Sequence, residues 1–243
     1  ALTDLEDASP EAFQTVRLAV SGAAALPERV AEAAAAVLGV RLYEGYGLTE
    51  ASPSVTLGAG TDAPIGSIGR PIAEIEMRIV DDNGDDVYIG DPGEIRVRGP
   101  NVFAGYWNDP EATERAVDAE GWLHTGDIAV VDDDGYLFLV DRAKDLIIVS
   151  GFNVYPAEVE RVLVTHPAVA EAAVTGVAHP HSGEAVKAFV VTESGTGVEE
   201  DELIAWCASK LARYKCHNKV DVVDELPHGL TGKVLRRELQ DRT

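Results

Sequence analysis

Apolar and polar positions alternate along this chain in three different rhythms. Val16–Val20 is a short apolar run ending at Ser21-Gly22, which predicts a buried strand. A helix follows: Pro27 suits a first helical position, Val30, Ala33, Ala34, Val37 and Leu38 share one face, and Gly39 is placed to close the C-terminus. Val40–Glu44 reads as a second strand ending in Gly45-Tyr46-Gly47. A strand-helix-strand unit with a right-handed crossover makes the two strands parallel and puts both glycine-containing loops at the strand C-termini, where α/β sheets bind ligands.

From residue 64 the rhythm changes to short β segments, Glu74–Val80, Glu94–Arg98 and Tyr136–Val140, separated by Asp82-Asn83-Gly84, Asp91-Pro92-Gly93 and Asp134-Gly135 turns. This predicts a small antiparallel sheet or barrel. The acidic turns lack the ligand spacing and distal Glu of an EF-hand loop. After Arg142 comes an α+β stretch: a hairpin over Leu146–Tyr155, a helix from Pro156, strands near Ala170–Gly176 and Ala185–Val191, and a helix near Glu199–Leu211. Ser194-Gly195-Thr196-Gly197 reads as a loop, its glycine pattern being too incomplete for a dinucleotide fingerprint. The reading is mixed α/β in three parts: residues 1–63, the end of an α/β sheet; 64–141, β-rich and barrel-like; and 142–243, α+β.

Composition narrows the function classes. A chain of 243 residues, 46% of them apolar, can bury a substantial core. No apolar run approaches the roughly 18 residues that cross a bilayer, and the acidic opening lacks the basic start of a signal peptide, so a cytoplasmic location is expected. The net charge of −22 argues against binding nucleic acid or adsorbing to anionic membranes. Cys207 and Cys216 have neither zinc-type nor redox-motif spacing.

Four stretches carry candidate chemistry. Gly45-Tyr46-Gly47-Leu48-Thr49-Glu50 combines a ring that can stack on a base, amides and a hydroxyl that can meet a phosphate, and a carboxylate that can hold Mg²⁺; an ordinary loop with a helix-starting Thr-Glu is the alternative. In Thr125-Gly126-Asp127 the carboxylate can accept both hydroxyls of a ribose or simply satisfy turn amides. Arg142 can bind ribose or phosphate and Lys144 can sit on a hinge, or the two can belong to a solvated linker. Thr231-Gly232-Lys233 places a lysine on a glycine-rich loop; the spacing is too short for a P-loop, and by itself such a lysine is commonly only a surface charge.

Taken in order, these stretches resemble the acyl- and aryl-CoA synthetase, luciferase and peptide-synthetase adenylation family, specifically the C-terminal part of an ATP-dependent fatty-acid–CoA ligase. The resemblance adds Ser21-Gly22-Ala23-Ala24-Ala25-Leu26, Gly93-Glu94 with Arg98-Gly99-Pro100 and Gly105-Tyr106, and the run Arg142, Lys144-Asp145, Ile147, Gly151, Val154, Pro156, Glu158, Glu160. It implies that Tyr46 and the Ala23–Ala25 backbone sandwich adenine, that Thr49 contacts phosphate and Glu50 binds Mg²⁺, and that Asp127 and Arg142 hold the ribose. Lys233 is implied as the adenylating lysine, Lys144 as the hinge of a mobile C-terminal domain, and Ser150-Gly151-Phe152 as the lining of the CoA tunnel. ATP, Mg²⁺, coenzyme A and a carboxylic acid, with a fatty acid preferred, are the implied ligands. Two departures stand out: alanines replace the usual Gly-Ala-Pro of the adenine loop, and Pro227-His228-Gly229-Leu230-Thr231-Gly232-Lys233 is atypical before the lysine. The family's N-terminal phosphate loop has no counterpart, so the chain is expected to be a piece of a longer enzyme, inactive alone. Loading a carrier protein instead of CoA, and a non-catalytic acidic interaction module, are the alternatives.

Overall fold

The computed structural model describes residues 9–22, 26, 28–193, 196–216, 219–229 and 233–240. The chain divides into two compact units, Ala1–Leu139 and Val140–Thr243.

The first unit opens with β1 (Ala19–Ser21), α1 (Glu28–Leu38) and β2 (Leu42–Gly47), and β1 pairs with β2 in parallel, as the sequence pattern predicts. Gly39, at φ +68°, follows α1 in the left-handed conformation that a helix-closing glycine supplies without a Cβ penalty. The first strand differs from expectation. It is shorter than predicted, and Leu18 and Val20 are 53% and 47% exposed; among the described residues β1 pairs only with β2. β3 (Ser54–Leu57) and β4 (Arg70–Pro71) extend this sheet antiparallel, in the order β1-β2-β3-β4.

A second sheet contains β5 (Glu76–Val80), β6 (Gly93–Arg98), β7 (Leu123–Val131) and β8 (Leu137–Arg142), in that order, with α2 (Pro110–Ala116) between β6 and β7. The alternative of an antiparallel sheet holds and that of a barrel does not: four strands with β5 and β8 at the edges leave the sheet open. Strict alternation on β6 buries Ile95 and Val97 completely while Glu94, Arg96 and Arg98 face outward. Those two residues join Tyr46, Ala51, Val55, Ile68, Leu123, Ala129 and Leu137 in one core. Trp122 is buried beneath the guanidinium of Arg98, 4.5 Å from its ring centre, with Arg78 at 5.7 Å.

The second unit holds β9 (Ile147–Val149), β10 (Phe152–Val154), α3 (Pro156–Leu163), β11 (Val169–His179), β12 (Gly183–Thr192), α4 (Glu200–Ala208), β13 (Lys219–Val222) and α5 (Arg236–Gln240). The expected hairpin, helices and strands are all present. β13, absent from the sequence reading, pairs in parallel with β12. Its Asp221 receives Lys187 at 2.8 Å, so the buried ammonium of the central strand is neutralised from the neighbouring one. α3 and α4 pack their buried residues Val159, Leu163, Leu203 and Cys207 against the sheet.

Candidate functional site

In the first unit the Tyr46–Glu50 motif is built differently from the expected loop. β2 runs through Gly45, Tyr46 and Gly47, and only then does a single 3-10 turn over Thr49–Ala51 follow. Leu48 N–H donates to the Pro53 carbonyl at 2.9 Å, folding the motif back onto β3. Gly47 is required there: a Cβ on it would sit inside the Pro53 carbonyl oxygen and 2.7 Å from the Pro53 carbonyl carbon. Gly22, at the end of β1, lies beside Gly45, an added Cβ being 3.6 Å from the Gly45 carbonyl oxygen. Ala23, Ala24 and Ala25 lie outside the described residues.

Two carboxylates of this unit meet tyrosines. The Tyr46 hydroxyl donates to Asp127 Oδ2 at 2.7 Å across 81 residues of sequence, and both side chains are buried. Asp127 occupies the middle of β7, not a turn. Gly126, at φ +67°, sits where the β6–β7 register slips, and such a bulge re-aims the next side chain. Thr125 Oγ1 donates to the Ile95 carbonyl at 2.7 Å and accepts Asp127 N–H at 3.1 Å, while Gly126 N–H reaches Glu94 Oε1 at 3.1 Å.

The second pair is Tyr106 and Glu50, whose Oε1 accepts the Tyr106 hydroxyl at 2.7 Å. That bond raises the phenol pKa of Tyr106 above its ordinary value, so the hydroxyl keeps its proton. The Asn101–Tyr106 segment also holds the motif's backbone: Phe103 N–H donates to the Glu50 carbonyl at 2.8 Å, and Asn101 Nδ2 to the carbonyls of Ala51 and Ser54. No group of three or more His, Cys, Asp or Glu among the described residues could cage a metal. A single carboxylate nevertheless suits Mg²⁺ that arrives with phosphate oxygens and keeps its waters. Leu48 packs on the core and Thr49 is exposed.

In the second unit Arg142 closes β8 and is half-buried; its N–H donates to Asp141 Oδ1 at 2.8 Å. Lys144 is exposed on a 3-10 turn over Ala143–Asp145. Ser150 and Gly151 are the two central residues of the β9–β10 hairpin, at φ +51° and +83°, the pattern of a tight turn with both residues left-handed. The tip of the β11–β12 hairpin grips this turn: Ile148 N–H donates to Glu184 Oε2 at 2.7 Å and Ser150 N–H to the Ser182 carbonyl at 2.8 Å. Phe152 stacks on Tyr214 with ring centres 4.8 Å apart, both exposed.

Lys233 is exposed near the base of a chain reversal pinned by Gly229 N–H to the Lys233 carbonyl and Leu235 N–H to the Pro227 carbonyl, each 2.8 Å. His228 and Val234 pair across it, and His228 Nε2 meets Glu171 Oε1 at 2.7 Å. Thr231 and Gly232 lie outside the described residues. Three residues beyond the lysine, Arg236 reaches Asp141, Asp145 and Glu160. Sequence reasoning did not find Arg236 or the Tyr106 contact; the Gly105-Tyr106 pair and the basic residues after Lys233 were the available signals.

Comparison with known proteins fits this arrangement. A family model described as AMP-binding enzyme matches residues 2–107, and one described as AMP-binding enzyme C-terminal domain matches residues 158–233. A long-chain-fatty-acid–CoA ligase of Yersinia pestis is 48% identical over 243 residues, and a 4-coumarate–CoA ligase of Vanilla planifolia 42% identical over 237. These alignments cover 99% and 95% of this chain and 43% of each relative, so the chain spans less than half the length of the curated relatives it matches. ATP-bound MatB from Rhodopseudomonas palustris superposes with a TM-score of 0.91 at 35% identity, over 99% of this chain and 48% of that one. An anthranilate CoA ligase in complex with anthranoyl-AMP gives 0.86 at 33% identity, over 99% and 47%. The chain belongs to the AMP-binding enzyme family of adenylate-forming ligases.

Proposed function

We propose that this chain carries the ribose-binding, metal-binding and adenylating residues of a carboxylic acid–CoA ligase acting on fatty acids. The observation that carries the reading is the buried Tyr46–Asp127 hydrogen bond at 2.7 Å, which joins the base-stacking candidate to the ribose candidate. Support for the substrate comes from several relatives at 46–48% identity named as long-chain-fatty-acid–CoA ligases. Relatives at 42–45% identity are named for 4-coumarate and feruloyl-CoA, which makes an aryl acid the second reading.

In the first half-reaction a carboxylate oxygen attacks the α-phosphorus of ATP, the bond to the bridging oxygen breaks, and pyrophosphate leaves an acyl-AMP. Charge accumulates on the phosphoryl oxygens as this happens, and the Lys233 ammonium stabilises it electrostatically. Asp127 and Arg142 hold the ribose hydroxyls, Tyr46 and the Ala23–Ala25 backbone flank the adenine, and Thr49 donates to phosphate. Mg²⁺ held by Glu50 would neutralise phosphate charge. In the second half-reaction the CoA thiol releases its proton, its sulfur attacks the acyl carbon, and AMP departs as the thioester forms. Lys144 is the hinge between the two stages, and Ser150-Gly151-Phe152 line the path of the pantetheine arm.

The test is Lys233→Ala in the protein at its full natural length, assayed over a panel of fatty and aryl acids. Carboxylate-dependent pyrophosphate exchange should fall by about a thousandfold while thioester formation from a supplied acyl-adenylate stays within about twofold. Equal loss of both half-reactions refutes the assignment. Supplying free CoA or a phosphopantetheinylated carrier protein identifies the acceptor.

A further inference from the structure

Arg236 opens α5, a short way beyond Lys233 in the chain. Its guanidinium meets three carboxylates at once: Glu160 through two bonds of 3.1 and 2.7 Å, Asp145 at 3.2 Å and Asp141 at 3.3 Å. Asp141 is the most deeply placed, its side chain 2% exposed, and its other oxygen accepts the Ala157 N–H in the first turn of α3 at 2.7 Å. Glu160 also accepts the Val174 N–H of β11 at 2.8 Å. One cation therefore ties α5 to the end of β8, to the turn that follows, to α3 and to β11.

The sequence positions of these partners give the cluster its meaning. Asp141 and Asp145 bracket Arg142 and Lys144, the residues read above as ribose ligand and hinge. Arg236 stands three residues after Lys233. Between them Leu235 N–H is bonded to the Pro227 carbonyl, and the Lys233 carbonyl accepts the Gly229 N–H, so backbone from the lysine to the arginine has few free torsions. Apolar contacts anchor the same segment independently, through buried Leu239 and through Val234 against the core of Ala173, Phe189 and Leu226. The guanidinium is thus not needed merely to hold α5 down. A planar fork bonded to carboxylates on both sides fixes direction as well as distance, which an apolar anchor does not.

We propose that Arg236 is a positioning residue for Lys233: through Glu160, Asp141 and Asp145 it fixes the lysine-bearing segment to the segment that carries Arg142 and Lys144. It touches neither substrate nor nucleotide in this scheme. The inference rests on the reading of Lys233 as the adenylating lysine, because it assigns Arg236 a part in that step alone. Burial works against the charge on the guanidinium, but the carboxylates of Glu160, Asp141 and Asp145 outweigh it and raise its pKa above the ordinary value, so it stays charged throughout the working pH range.

Arg236→Lys in the full-length protein is the informative substitution, since it keeps the positive charge and the Leu239 anchor and removes the fork. Carboxylate-dependent pyrophosphate exchange should fall about tenfold or more in kcat, with the KM for ATP within about twofold, because misplacing a catalytic group costs rate and not binding. Thioester formation from a supplied acyl-adenylate should remain within about twofold of wild type. A purely structural role would lower both half-reactions in the same proportion, following the folded fraction, and that result overturns the proposal, as does an unchanged exchange rate. Asp145→Asn, which alters one of the three partners, covers the case in which Arg236→Lys fails to fold: it should show the same selective loss in smaller measure, and a proportional loss or none overturns the proposal. Lys233→Ala run in parallel separates the two levels. If it leaves pyrophosphate exchange intact, the reading of Lys233 fails and the role of Arg236 fails with it; if it abolishes exchange while Arg236→Lys and Asp145→Asn spare it, only the role of Arg236 fails.

Discussion

Gly47→Ala adds one carbon at a place where backbone from another strand already stands. The new Cβ would lie 2.7 Å from the Pro53 carbonyl carbon and 3.0 Å from Ser54 Cα, and these neighbours are main chain, unable to swing aside as a side-chain tip can. To make room Pro53 must retreat, which removes the 2.9 Å bond it accepts from Leu48 N–H and loosens the Gly47–Ser54 pairing. One lost backbone bond costs about 1 kcal/mol and overpacking about 1–3 kcal/mol, while Ala stiffens the unfolded chain and returns about 0.4–1 kcal/mol. The expected net loss is about 1–3.5 kcal/mol from these three contributions. Urea denaturation of this chain, followed by circular dichroism, measures it. Gly60→Ala is the control, because Gly60 has φ +77° but nothing within 4 Å of an added Cβ, so its cost is conformational only. Because the retreating segment carries Thr49 and Glu50 with it, weaker nucleotide binding should accompany the lost stability. A Gly47→Ala protein as stable as wild type, or more so, would show that the close approach does not constrain the motif.

Gly151→Phe places a large side chain on the exposed hairpin turn, where an added Cβ has open space but the backbone sits at φ +83°. The protein should fold with a loss of about 1–2 kcal/mol from the strained turn, keep pyrophosphate exchange and lose thioester formation; parallel half-reaction assays check this, and loss of both steps refutes the tunnel role. Burial raises the Cys207 thiol to about 12, with Cys216 adding to the effect, so the folded chain holds a proton that the unfolded chain releases from about 9.0 upward. Its stabilising contribution is therefore complete below that value and is lost as pH climbs towards 12, at most about 1.4 kcal/mol per pH unit, and Cys207→Ala should flatten the alkaline fall in urea stability by that slope.

Local signals made the βαβ unit readable, because Gly39 and an apolar run of helical period mark a helix between two short strands; Pro27 lies outside the described residues. The same holds for the Ser150-Gly151 hairpin, where the turn pair follows the apolar triplet Ile147-Ile148-Val149 and precedes Phe152-Asn153-Val154. β3, β4 and β13 escaped because strands of two to four residues leave no periodicity, and they form only where a distant partner offers an edge. The bulge at Gly126 escaped for a related reason: a glycine next to an aspartate looks the same in a turn as in a strand whose register slips. Arg236 and its partners lie 76–95 residues apart, and Tyr46 and Asp127 lie 81 apart, so the constellations that give these residues their meaning exist only after folding. The individual chemistry-bearing residues were visible; their pairings were not.

Trp122 lies buried under the Arg98 and Arg78 guanidinium groups, and it belongs to the first unit. Trp206, whose indole N–H reaches the Val162 carbonyl and whose ring meets His166 edge-on, belongs to the second. The remaining indole, Trp107, is 91% exposed and should emit at long wavelength whether or not the chain is folded. With Trp107 replaced by phenylalanine, the protein therefore contains one fluorescent reporter in each unit, in differing surroundings. Single-tryptophan versions would let the melting of each unit be watched separately, giving the two halves of this chain their own optical signatures.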